Sequence, residues 1–216
     1  MLSEDRAPER QYWERNAALY DLSLRVLHRP LPRMVHLAAE AVRDRERVLE
    51  VAAGTGLVTV ALALAARQVV ATDYAAAMVA RLEQRIQAVG LGNVQCRQAD
   101  LYDLPFEAGS FDGVVAANVL HLVPDLPRAL AALRRMLKPG GCLVAPTFVH
   151  DETPLAWAVS RLLAVTGFPN HRRFTAASLT RALDAEGIEI VYGEMLPGVI
   201  PIQYLEGAFA RSSGAA

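Results

Sequence analysis

Short apolar runs alternate with longer helical patterns along most of this chain. Residues 47–51, 68–72, 93–98, 111–117 and 141–148 are brief apolar or β-branched runs, the length of buried strands. Between them, residues 57–66 are alanine-rich. Residues 75–89 place charges at Arg81, Glu83 and Arg85 on a helical period, and 126–137 read as a helix halted by "KPGG" at 138–141. Residues 12–43 also read as helical, broken by "HRPLP" at 28–32, because proline removes a donor and disfavours helix just before it. The tail predicts helices at 155–165 and 176–186, then strands at 188–194 and 200–209. The connection "MLPGVIP" is short enough for these two strands to pair antiparallel.

Strands apolar on both faces and separated by helices call for a parallel sheet covered on both sides. The predicted fold is α/β, a doubly wound, mostly parallel sheet ending in an antiparallel C-terminal strand pair. No repeat, low-complexity run or linker divides the chain, so one domain is expected over 1–216. Within it, 1–45 would be a helical lid, 46–150 the ligand-binding half and 151–216 the acceptor side.

Composition narrows the function. The 216 residues are 53% hydrophobic with a net charge of −1, and the basic residues are scattered, so no basic face offers itself to nucleic acid. The longest apolar stretch, residues 57–66, is about half of what a bilayer span needs. The charged N-terminus lacks the apolar core of a signal peptide, which makes the cytoplasm the expected compartment. Cys96 and Cys142 fall in separate strands and predict no disulfide, and no Cys/His grouping has zinc-like spacing.

The stretch "VLEVAAGTG" carries the first chemical signal, since a buried strand here runs into residues with almost no side chains. In such sheets ligands bind beyond the carboxyl ends of strands, where glycines allow close approach to the main chain and a helix N-terminus offers free N–H groups. Gly54 and Gly56 sit there. Asp73 ends the second strand, placed to accept two ribose hydroxyls or to cap the next helix, and Asp100 follows the third. Together they describe a site for an adenosine-containing ligand. A dinucleotide fingerprint would put glycines at Ala52 and Leu57, so that reading is disfavoured, and no Lys-Ser/Thr follows for a P-loop.

"VLEVAAGTG", "VVATDYAAAMVARL", "NVQCRQADLYDLPFEAGSFDGVVAANVLHLV" and "ALRRMLKPGGCLV" together resemble the successive motifs of class I S-adenosylmethionine-dependent methyltransferases, nearest the ubiquinone/menaquinone-biosynthesis branch. The resemblance spans roughly residues 12–148 and implies a Rossmann-like fold. It also implies S-adenosyl-L-methionine as cofactor and S-adenosyl-L-homocysteine as product. By the resemblance, Glu50 and Ala52, Gly54, Thr55 and Gly56 would line the methionine moiety, Asp73 would hold the ribose, and Tyr20, Tyr74 and Met78 would lie near the cofactor. Asp100 and Leu101 would read the adenine edge, and Asn118 would sit beside the amino acid end. The chain departs from the family at Ala52, where a glycine is usual.

Methyl transfer from a sulfonium needs alignment and dryness, and a base only where the acceptor must lose a proton. His121 and His150 follow the fourth and fifth strands and are the candidate bases. Tyr12, Trp13 and His171 are candidate substrate contacts, and the N-terminal aromatics would form the lid. Leu155, Trp157, Leu162, Val165 and Phe168 are expected to face them and favour a small acceptor with an apolar or aromatic body, which extends to phospholipid or quinone-type lipids. A nicotinamide-dependent oxidoreductase and a non-catalytic binding protein are the competing readings.

Overall fold

The computed structural model describes residues 8–16, 29–165, 169 and 171–210. Residues 8–16 are helical (α1), and α2 spans Leu31–Ala41, its start fixed by Pro30 at the N-cap and a proline in the first turn. The sheet half then runs β1 (Arg47–Val51), α3 (Leu57–Ala65), β2 (Gln68–Asp73), α4 (Ala76–Val89), β3 (Val94–Gln98) and β4 (Phe111–Val115). After α5 (Leu126–Met136) come β5 (Leu137–Val144), β6 (Thr147–Phe148), α6 (Pro154–Val165), α7 (Ala176–Ala185), β7 (Ile188–Leu196) and β8 (Ile202–Phe209).

These strands form one sheet in the order β3-β2-β1-β4-β5-β8-β6, with β7 along the other side of β8. Pairing is parallel from β3 to β5 and antiparallel wherever β8 takes part. Successive strand residues point to opposite faces. Leu49, Val70, Val114 and Leu143 therefore meet α5 and α7 on one side, while Val48, Val69, Val115 and Val144 meet α2, α3 and α4 on the other.

The fifth strand differs from expectation. It begins at Leu137, and "KPGG" lies inside its span: Phe111 pairs with Leu137 but Gly113 with Cys142, so three extra residues bulge from β5. Proline and glycine mark an irregularity here rather than a strand's beginning. A side chain at Gly141 would come 2.8 Å from Leu137 Cδ2, which explains the second glycine. The cysteines lie within β3 and β5, and both are free thiols. No helix among the described residues is long and apolar enough to cross a membrane.

Candidate functional site

A cavity opens at the carboxyl ends of β1, β2 and β4. Its floor comes from the glycine loop. After Val51 the chain turns through Ala52 at φ +51° and Gly54 at +56°, and Ala53 N–H donates to the Thr72 carbonyl at 2.9 Å. Ala52 and Gly54 both line the cavity. Gly56 does something else. It caps α3 at φ +85°, and a Cβ there would meet Leu82 Cδ1 at 2.6 Å, so packing against α4 dictates that glycine. Thr55 is buried beneath the loop. Glu50 is buried as well. Its Oε2 has no hydrogen-bond partner among the described residues, and burial, reinforced by Asp73, pushes its carboxyl up to about 8.

Asp73 ties the loop to the second strand end. Its Oδ2 accepts from Gly54 N–H and its Oδ1 from Ala75 N–H, both at 2.9 Å. Burial raises this carboxyl to about 6, opposed by the backbone donors at Ala75, Gly54 and Tyr74. Tyr74 and Met78 continue the wall. Asp100 lies two residues past β3, buried, and its Oδ1 accepts from Tyr102 N–H at 3.0 Å. Neither Asp100 nor Leu101 lines the cavity; both are buried.

Across the cavity, Ala117, Asn118, Val119, Leu122 and Val123 form the loop after β4. Asn118 sits at φ +53°, held by its N–H donating to the Pro146 carbonyl at 2.7 Å. Its Nδ2 faces Met34 Sδ of α2 at 3.4 Å, and its Oδ1 is buried without a partner among the described residues.

Helix α1 roofs the site, with Glu9 and Trp13 lining the cavity. Trp13 packs on Ala75 and Met78, and two carboxylates add polar anchors. Helix α4 has Ala75 at its N-cap and no side-chain cap of its own, so its first free N–H groups need an outside acceptor. Glu14 supplies it, accepting from Ala76 N–H at 2.8 Å and Ala77 N–H at 2.9 Å. Glu9 Oε1 meets His171 Nε2 at 2.7 Å, joining α1 to the segment that brings Pro169 to the cavity. Tyr12 packs edge-on against Trp13, 5.1 Å between centroids, and does not line the cavity. Tyr20 lies outside the described residues. Sequence reasoning missed Glu9 and Glu14. The uncapped start of α4 signals that some carboxylate is required but not which one.

His121 and His150 come together, ring centroids 5.0 Å apart, but behind the cavity wall rather than on it. His150 Nδ1 is hydrogen-bonded to Ser160 of α6. His121 Nδ1 and His150 Nε2 are buried without partners among the described residues. Burial holds both imidazoles below their ordinary range, His150 at about 4, so both are neutral at pH 7. The carbonyl of His121 accepts from the N–H groups of His171 and Arg172, each at 3.1 Å, which docks the 171–172 segment on this loop.

The expected apolar acceptor wall from α6 is overturned. Leu155, Trp157, Leu162 and Val165 point to solvent, because the inward face of α6 is Ala156, Val159, Ser160 and Leu163. Phe168 lies outside the described residues. The apolar wall comes instead from Trp13, Met78, Val119, Leu122 and Val123. Among the described residues no group of three or more His, Cys, Asp or Glu side chains is placed to hold a metal.

Comparison with known proteins bears on this geometry. A family model described as a methyltransferase domain matches residues 49–145. The chain is 32% identical over 169 residues to the demethylmenaquinone methyltransferase of Clavibacter sepedonicus, covering 78% of this chain and 65% of that protein. It therefore spans just under two thirds of that relative's length. It is 36% identical over 152 residues to the phosphatidylethanolamine N-methyltransferase of Cereibacter sphaeroides, covering 68% of this chain and 71% of the relative. Among solved structures, the complex of DhpI with SAH matches at 26% identity and a TM-score of 0.74, over 94% of this chain and 96% of DhpI.

Proposed function

The chain belongs to the S-adenosylmethionine-dependent methyltransferases, and from that premise we propose that it methylates a small molecule with an apolar or aromatic body. One observation carries this reading: Asp73 and Asn118 converge with Gly54 on a cavity whose remaining wall, Glu9 and Tyr74 apart, is apolar. The residues fit the cofactor. The unpaired Asn118 Oδ1 suits an ammonium group, Asp73 suits ribose hydroxyls, and Tyr74 and Met78 suit the adenosine. We assign the adenine edge to Asp100 and Leu101, just past the end of β3. The charged side chains lining the cavity, among the described residues, are Glu9 and Asp73, both acids. Such a lining favours a sulfonium cation and disfavours a pyrophosphate.

When bound, S-adenosylmethionine supplies an already activated methyl group. The chain's residues then have to orient the acceptor and exclude water, and α1 does the second by closing the roof over Trp13. His121 and His150, neutral and adjacent, lie behind the cavity wall. An acceptor that loses a proton would reach them only if that wall opened.

The names of the two relatives favour a second reading, an acceptor of quinone or phospholipid type, within the same cavity. The test has two parts. Calorimetric titration should show binding of S-adenosylhomocysteine and none of NAD. A screen of apolar acceptors, read by release of demethylated cofactor, should then find turnover. NAD binding without response to the sulfur compounds would end the proposal.

A further inference from the structure

The outward half of α6 carries the wrong residues for a helix facing water. On a 3.6-residue period Leu155, Ala158, Leu162 and Val165 fall on one arc, with Trp157 and Arg161 beside it, and all six are exposed. Exposure reaches 58% at Leu155, 48% at Trp157, 70% at Leu162 and 84% at Val165. The opposite side packs on the core through the buried Ala156 and Ser160 and the half-buried Val159 and Leu163. A contiguous apolar surface of this kind marks a contact site. Arg161, the only charged residue on the helix, lies with its guanidinium 4.9 Å over the Trp157 ring.

We propose that α6 docks on an anionic lipid bilayer, lying in the headgroup boundary with Leu162 and Val165 in the acyl layer. Two features point to that occupant. A tryptophan paired with an arginine suits the boundary, where one end of a side chain is apolar and the other wet. Arg161 has no carboxylate on its own helix, so an anionic headgroup is its complement. A second copy of this chain fits less well. A two-fold contact centred on this arc would bring Arg161 toward its own copy with no acid from either helix.

The position also suits the site. Four residues beyond α6 in the chain, Pro169 lines the cavity, which links the helix to the wall of the site. An apolar acceptor dissolved in the bilayer would enter there without crossing water. This inference rests on the apolar-acceptor reading and specifies where that acceptor is held.

The experiment uses vesicles of phosphatidylcholine with and without phosphatidylglycerol. The protein should sediment with the anionic vesicles at least about fivefold better than with the neutral ones, the effect of roughly one arginine at such a surface. In a Trp13→Phe protein, Trp157 is the one remaining tryptophan, and its emission should shift to the blue on binding. The double variant Leu162→Glu/Val165→Glu should lose vesicle binding while keeping its thermal midpoint and its affinity for S-adenosylhomocysteine. Absence of vesicle binding, or binding indifferent to the double variant, overturns the proposal. So does a dimer that the double variant converts to monomer. Because cofactor affinity is measured on the same samples, loss of docking and failure of the methyltransferase reading stay distinguishable.

Discussion

At the scale of single residues, Asp73 shows how a position legible in sequence acquires a second task in the fold. Its place nineteen residues after Gly54, at a strand end, predicts a carboxylate for a ribose. The structure adds that both its oxygens already accept backbone N–H groups, from the glycine loop and from the start of α4. Asp73→Ala should therefore weaken cofactor binding by about 2–4 kcal/mol. It should also lower stability by about 1–3 kcal/mol, because two buried N–H groups lose their acceptor. Asp73→Asn, which keeps one acceptor, should fall between in both measurements. Titration with S-adenosylhomocysteine and denaturant unfolding check the pair. Unaltered cofactor binding in Asp73→Ala would remove the ribose assignment. Ala52 was legible as a departure from the family but not as strain. An alanine at φ +51° costs about 1 kcal/mol, which only the dihedral reveals.

At the scale of elements, periodicity located nearly every strand and helix, because each is apolar on the side or sides it buries. It failed at the start of β5, where a bulge interrupts the period, and it located α6 without telling which side of that largely apolar helix faces outward. The N-terminal helices also divide in a way no composition reveals. α2 sits in the core through Leu31, Met34, Leu37 and Ala38, whereas α1 is held by Glu14, Glu9 and Trp13 against elements of the site. The proposed lid is therefore α1 without α2. Removing residues 1–28 should abolish most turnover while shifting the thermal midpoint little, since Pro30 and α2 remain. Glu14→Ala alone should loosen α1 and raise the dissociation constant for S-adenosylhomocysteine about threefold to tenfold. Turnover and unfolding of the truncated protein, measured side by side, decide it: full activity excludes the lid, and wholesale unfolding makes α1 part of the core.

For the whole molecule, the buried ionisable groups set opposing responses to pH. Glu50, raised to about 8, favours folding while protonated, and that stability is lost as pH rises through its folded value. Asp73, raised to about 6, acts in the same sense at lower pH. His121 and His150 are depressed, so their contribution is present above 6.5 and is lost as pH falls toward the folded value, about 4 for His150. Between pH 6.5 and 8 Glu50 governs. The thermal midpoint of the free protein should fall across that window, and Glu50→Gln should flatten the slope; a midpoint of the parent that stays flat would show Glu50 to be ionised throughout. The placement of β8 has a consequence of another kind, for the order in which the protein is made. β8 pairs with β5 at Val144 and Leu143, yet Ile202, where it begins, is about 60 residues further along the chain. At about 5–20 residues per second, a ribosome leaves the outer edge of β5 bare for roughly 3–12 seconds after that strand is complete. For that interval the nascent chain presents an open strand edge beside an unfinished apolar face, the form in which another strand can be mistaken for its own.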